Sequence, residues 1–118
     1  MTFEAFEAYC LSLPGATLSV QWGDDHVFKV GGKMFAVAGA VGSGGAGGYS
    51  FKASDMAFEL LIEQGIARPA PYLARAKWVQ LVGRDSLPEG DLTAYLRQAH
   101  ALVAAKLTRA SRMALGLT

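Results

Sequence analysis

A glycine pair between two strand-like runs constrains the fold of this 118-residue chain more than any other feature. Gly31-Gly32 separates residues 26–30 from residues 33–38, and both runs are rich in Val and Phe. Two-residue hairpin loops need a backbone with positive φ, which glycine enters without steric cost. The pattern therefore predicts a β-hairpin. Alternation places Phe28 and Val30 on one face and Val27 and Lys29 on the other. Beyond the turn it groups Lys33, Phe35 and Val37 opposite Met34, Ala36 and Ala38.

Three stretches have apolar residues at the spacing of three and four that is typical of an amphipathic helix. The first begins after an N-cap at Thr2 and ends at Pro14-Gly15, the second runs from a cap at Ser54 or Asp55 to Gly65, and the third spans about 91–107. Their expected inward residues are Phe3, Phe6, Cys10 and Leu13; Ala57, Leu60 and Leu61; and Leu92, Leu96, Ala99, Val103 and Leu107.

The remaining regular segments are predicted to be strands. Leu18, Val20 and Trp22 alternate with polar residues, which is typical of a half-buried strand. Residues 49–52 and 78–82 are further short strands, whereas 66–77 contains two prolines and is expected to be extended and irregular. The glycine-rich run 39–48 is expected to join two antiparallel strands. This order predicts a single α+β domain over 1–118, in which helices pack on one face of an antiparallel sheet.

Composition narrows the class of protein. Eleven basic and ten acidic residues nearly balance, and one cysteine excludes an internal disulfide, as expected for a reducing cytosol. The sequence has neither a secretory leader pattern nor an apolar run of about 20 residues, so we expect a cytoplasmic protein. Two segments, 66–84 and 92–118, are basic without a single acid. The sequence alone does not say whether they share a surface.

The residues show no catalytic constellation. Residues 42–47 match the letters G-x-G-x-x-G, but a strand rather than a helix is predicted to follow, so a flexible loop is favoured over a nucleotide site. Cys10 lies on the apolar stripe of the first helix, and His26 and His100 have no partners at metal-ligand spacing. We therefore expect no enzyme activity, no cofactor and no metal.

Basic and aromatic side chains are the remaining signal. Lysines at strand ends can contact phosphates, and a hairpin can enter a groove as a wing. The opposing interpretation is structural, because strand lysines also discourage edge-to-edge aggregation and Trp78 suits a core. The candidate DNA contacts are Lys29, Lys33, Lys52, Arg75 and Lys77. The aromatic residues expected to shape this surface are Trp22, Tyr72 and Trp78.

Several short motifs, in order along nearly the whole chain, resemble the MmcQ/YjbR family. They are Leu-Pro-Gly-Ala at 13–16, Trp-Gly-Asp at 22–24, the hairpin at 28–36, Lys52, Pro-Ala-Pro-Tyr-Leu at 69–73, Lys-Trp-Val at 77–79 and Lys-Leu at 106–107. The resemblance implies a CyaY-like α+β fold with a proposed double-wing motif, a DNA-binding role, and neither cofactor nor catalysis. By motif position it carries over Lys33, Lys52, Tyr72, Lys77 and Trp78 as the functional face. The glycine-rich run 39–48 departs from the family pattern and lacks a basic tip.

Our hypothesis from the sequence is a cytoplasmic, non-catalytic protein that contacts the backbone of double-stranded DNA through a lysine and aromatic face of its sheet. The alternative is a protein- or small-ligand-binding module that uses an aromatic cleft lined by Trp22, Tyr72 and Trp78. A monomer or a weak homodimer, with no membrane or metal partner, is expected in either case.

Overall fold

The structure, a computed structural model, describes residues 1–21, 24–39, 48–71 and 73–117. It contains six strands, four α-helices and one short 3₁₀ helix, in the order α1 (Phe3–Ser12), β1 (Ala16–Gln21), β2 (Asp25–Val30), β3 (Lys33–Ala38), β4 (Tyr49–Lys52), α2 (Asp55–Glu63), β5 (Ala67–Pro69), the 3₁₀ helix (Ala74–Ala76), β6 (Trp78–Leu81), α3 (Glu89–Ala104) and α4 (Arg109–Ala114).

The strands form one antiparallel sheet in the order β1-β2-β3-β4-β6-β5. Strands β1 to β4 lie in the sheet in the order in which they follow along the chain. Helix α2 then crosses over the position of β6 to connect β4 with the edge strand β5. Gly39 donates its N–H to Gly48 O at 2.8 Å, which closes the glycine-rich connection between β3 and β4. Residues 40–47 of that connection, including the G-x-G-x-x-G letters, lie outside the described residues.

The predicted hairpin is confirmed. Gly31 has φ 59° and Gly32 has φ 80°, and Val30 pairs with Lys33 across the turn. The face assignment in β3 is wrong, because a β-bulge between Phe28 and Lys29 shifts the register. Val37 pairs with Val27, away from the helices, whereas Ala36 pairs with Phe28 on the helix side.

The helices pack on one face of the sheet, as predicted. Phe6 of α1 stacks on Tyr49 with ring centroids 4.2 Å apart, and Tyr95 of α3 stacks on Phe51 at 5.9 Å. Leu61 of α2 belongs to the same buried cluster. The predicted stripe of α3 is buried throughout, and Thr2 and Ser54 cap α1 and α2 by accepting hydrogen bonds from Ala5 and Ala57.

Four local predictions need correction. Leu60 of α2 is exposed rather than inward. Residues 67–69 form the edge strand β5 despite Pro69, because an edge position does not require its missing N–H. Beyond the three predicted helices, the chain forms a fourth, the short helix α4, capped by Thr108. Leu18 and Val20 are 37% and 56% exposed, because β1 is the outer strand and has a sheet neighbour on one side.

Candidate nucleic-acid interface

The candidate lysines gather at one end of the sheet, where the Gly31–Gly32 turn lies. Because neighbouring strands are antiparallel, this end holds the end of β2, the start of β3, the end of β4 and the start of β6. Lys29 and Lys33 flank the turn. Lys52 ends the neighbouring strand β4 and pairs with Trp78, the first residue of β6. We call this region the basic end. The lysine and aromatic face that the sequence suggested stays a prediction.

Lys52 and Lys77 are held close together at the basic end. The Lys52 ammonium donates a hydrogen bond to Ala76 O, and Ala53 N–H donates to Lys77 O at 3.0 Å. Lys77 follows the 3₁₀ helix in a left-handed conformation, with φ 62°, and its ammonium lies 4.9 Å from the Phe58 ring centroid. The backbone turn thus directs two cations into one region. Arg75, one residue before Ala76, is exposed beside them.

The electrostatic crowding is visible at Lys52. Partial burial lowers the pKa of Lys52 from its ordinary value, and the nearby Lys106 and Lys77 lower it further. Asp55, the first residue of α2, acts in the opposite direction. Additional positive charges therefore surround Lys52, and a bound anion would relieve their repulsion.

The C-terminal helices add cations that the sequence hypothesis did not include. A Cβ built on Gly31 would lie 2.6 Å from Leu107 Cδ1, so the segment after α3 sits directly on the hairpin turn and brings Lys106 with it. Leu115, just after α4, lies against Gly15. The next residue, Ala16, begins β1 and pairs with Val30 at the basic end. Arg109 and Arg112 are therefore carried to the same end. The signal was the acid-free basic segment 92–118, whose placement only the fold could supply.

Charge is segregated along the strand direction. Eight of the eleven basic residues belong to the basic end, namely Lys29, Lys33, Lys52, Arg75, Lys77, Lys106, Arg109 and Arg112. Asp55 lies with them at the start of α2, and the two remaining acids, Glu59 and Glu63, follow one and two turns later on the same helix. The opposite end, which we call the acidic end, carries Glu4, Glu7, Asp24, Asp25, Asp85, Glu89 and Asp91. Arg68, Arg84 and Arg97 lie away from the basic end.

The acidic end has its own local structure. The Met1 ammonium donates to Asp85 Oδ1 at 2.8 Å, which lowers the pKa of Asp85, and Tyr49 donates to Met1 O at 2.8 Å. The Arg84 guanidinium lies 5.2 Å from the Tyr49 ring centroid. An open depression of about 780 Å³ borders this network. Two of its lining residues, Met1 and Asp85, are paired with each other, which gives this part of the depression a structural role.

Of the three predicted aromatic residues, the structure describes Trp78. Trp22 and Tyr72 lie outside the described residues. Trp78 is on the strand position that faces away from the helices, yet it is 4% exposed and does not belong to the main core cluster. Trp78 is therefore buried, and it pairs with Lys52 and follows Lys77 along the chain.

Two further features bear on function. In the described part of the chain, no helix is long and apolar enough to cross a membrane. Within the same ranges, no group of three or more His, Cys, Asp or Glu side chains is arranged to hold a metal ion.

Comparison with known proteins identifies the family of this chain. The YjbR family model matches residues 11–102, which extend from the end of α1 through most of α3. The chain belongs to the YjbR family. Five basic-end residues lie within the matched region, whereas Lys106, Arg109 and Arg112 lie beyond it.

A solved structure shows the same architecture for this YjbR-family chain. The crystal structure of Deinococcus radiodurans protein DR2400, which has a DUF419 domain, superposes with a TM-score of 0.85 at 26% sequence identity. The alignment covers 99% of this chain and 89% of that one. A comparison with curated proteins finds no match. The family and the α+β fold therefore stand, and the activity has to be argued from the site.

Proposed function

We propose that this YjbR-family protein binds double-stranded DNA, without catalysis, by placing its basic end against the phosphate backbone. The observation that supports this most strongly is the segregation of eight cations, accompanied by Asp55, to one end of a chain whose formal net charge is +1. Near-neutral proteins have no need to concentrate charge in this way for solubility. A polyanion supplies the compensating charge.

The geometry suits backbone contact rather than base reading. Lys33 and Arg75 are exposed, and Lys52 and Lys77 are half-buried, so their charged groups sit at different depths around the sheet end. Lysine acts on phosphate as a point charge, and such contacts position a protein without selecting sequence. We therefore expect similar affinities for duplexes of different sequence.

A salt titration with a random-sequence duplex tests the proposal. If five phosphates are contacted, log K falls against log[salt] with a slope of about −4.5, which is a roughly 500-fold loss between 50 and 200 mM salt. Fluorescence anisotropy of a labelled 20-base-pair duplex measures this directly. No binding at 50 mM salt, or a flat slope, would refute the DNA proposal and favour the ligand-binding alternative.

Single substitutions with equal charge change locate the contact. Lys33→Gln and Arg75→Gln each remove one exposed cation from the basic end, whereas Arg97→Gln removes one exposed cation from the middle of α3. The first two should each make the salt slope less negative by about 0.9, and Arg97→Gln should leave it unchanged. Equal effects of all three would mean that net charge alone drives binding.

A further inference from the structure

The two edges of the sheet are unequally protected. Edge strand β5 has three residues and contains Arg68 and Pro69, both of which oppose pairing with another strand. Edge strand β1 has six residues, Ala16–Gln21, without a charge, a proline or a bulge against β2. Outside the sheet ladder, none of the backbone hydrogen bonds among the described residues reaches 17–21. An edge of this kind is open to strand addition.

We propose that β1 pairs antiparallel with β1 of a second copy, so that two sheets join into one across a twofold axis. The inference does not depend on DNA binding. A twofold axis normal to the sheet keeps each face on its own side, so opposed residues must come from the same face. With the axis at Ser19, Leu18 of each copy faces Val20 of the other, on the helix side. Both exposed apolar residues of this strand are then covered, and Thr17 opposes Gln21 on the other face.

Charge favours a second copy in this orientation. Gln21 pairs with Asp25 of β2, and Thr17 pairs with Lys29. In the antiparallel pair, Gln21 of one copy faces Thr17 of the other. A line drawn across the four central strands therefore passes from Asp25 and Gln21 of one copy to Thr17 and Lys29 of the other. The twofold axis generates a second, identical line. The acidic end of each molecule thus lies beside the basic end of its partner. A parallel arrangement would instead set like ends together.

Sedimentation equilibrium between 10 μM and 1 mM protein tests whether the pair forms. The weight-average mass should rise from 12.5 kDa toward twice that value. Val20→Lys should weaken association at least tenfold, because it places a charge where Leu18 of the other copy packs. Val82→Lys is the matched control, since Val82 is 59% exposed against 56% for Val20 and lies on neither edge strand. A monomeric mass throughout, or equal effects of the two lysines, would overturn the proposal.

Disulfide trapping tests the register. Ser19→Cys should form covalent dimers under mild oxidation, because the two positions face each other at the axis. Thr17→Cys alone should not, since its copies would lie about 13 Å apart along the strands. A mixture of Thr17→Cys and Gln21→Cys proteins should cross-link to the mixed dimer. Cys10 is fully buried and serves as an internal negative control. Cross-linking of Thr17→Cys as fast as Ser19→Cys would refute this register.

Discussion

Replacing Gly31 by alanine should destabilise the protein through two separable effects. Gly31 has φ 59°, and the left-handed region costs an alanine about 1–2 kcal/mol. The new methyl carbon would also lie 2.6 and 2.7 Å from the two methyl carbons of Leu107, closer than any real contact. Leu107 is 8% exposed and has little room to withdraw, and overpacking of this kind costs about 1–3 kcal/mol. The expected loss is therefore about 2–5 kcal/mol.

Gly32→Ala is the matched control in the same turn. Gly32 has φ 80°, so it bears a similar backbone penalty, but a Cβ there meets no atom within 4 Å. Its expected cost is about 1–2 kcal/mol. Urea denaturation followed by far-ultraviolet circular dichroism measures both. With an unfolding entropy of about 2.1 cal/mol/K per residue, each kcal/mol lowers Tm by roughly 4 °C for a chain of this length.

A double-mutant cycle isolates the contact with Leu107. Leu107→Ala alone should cost about 2–5 kcal/mol, but it removes the atoms that clash with the methyl carbon introduced by Gly31→Ala. The pair Gly31→Ala and Leu107→Ala should therefore be more stable than the sum of its single changes by about 1–3 kcal/mol. Gly32→Ala and Leu107→Ala should add within about 0.5 kcal/mol. Equal losses at the two glycines, or additivity at Gly31, would refute the close approach of the C-terminal segment to the hairpin.

Four further outcomes are expected. Because the pKa of Lys52 is lowered, DNA affinity should begin to fall at an alkaline pH below the ordinary lysine pKa of about 10.4. Lys52→Arg should abolish this fall in anisotropy measurements. A pH profile that is the same for Lys52→Arg and the original protein would contradict the role of Lys52. Stability changes in the opposite direction, since the folded chain releases this proton before the unfolded chain does, so the free energy of unfolding should rise with pH over the same interval. Lys77→Gly should be more stable to urea than Lys77→Ala by about 1–2 kcal/mol, because residue 77 has φ 62° and both variants lose the same charge; equal stabilities would argue against that backbone conformation. Burial raises the pKa of the Cys10 thiol, so labelling by a thiol reagent at pH 8 should be roughly 100-fold or more slower in the native protein than in guanidinium, and native labelling at the rate of a free thiol would contradict the burial.

The regular elements could be predicted from the sequence where a local pattern coincides with burial. The stripe from Leu92 to Val103 specifies α3 because a long helix packs a continuous apolar face. The Gly31-Gly32 pair specifies a hairpin because few other residues accept two successive positive φ values. Such signals are contained within a few residues of chain.

The errors arose where the outcome depended on distant neighbours. Alternation at Leu18 and Val20 describes a strand, but whether its apolar side is covered depends on the place of that strand in the sheet. The β-bulge likewise changes which β3 residues face the helices, because Phe35 has no partner in β2 and both Phe35 and Ala36 belong to the buried cluster. Helix α4 has no buried residues, so its sequence has no apolar stripe from which a helix could be predicted.

The candidate lysines were named from the sequence, but their arrangement at one end of the sheet could not be. Lys33, Lys52 and Lys77 come from three separate segments, and antiparallel register rather than sequence spacing brings them to one end. Lys106 joins them because the next residue, Leu107, contacts Gly31, which is far away in the sequence. These placements follow from topology, which a linear pattern does not contain.

The separation of the two charged ends also gives a single copy of the chain an electric dipole moment along the strands despite its small net charge, and this moment cancels in the twofold pair. In the field of a polyanion such a dipole experiences a torque, which turns Lys33 and its neighbours toward the strand before contact. Orientation of this kind raises the rate of productive encounter and leaves the rate of dissociation to the contacts themselves. The carboxylates at the far end, such as Glu4 and Asp24, would then influence how quickly a complex forms although they never touch the partner.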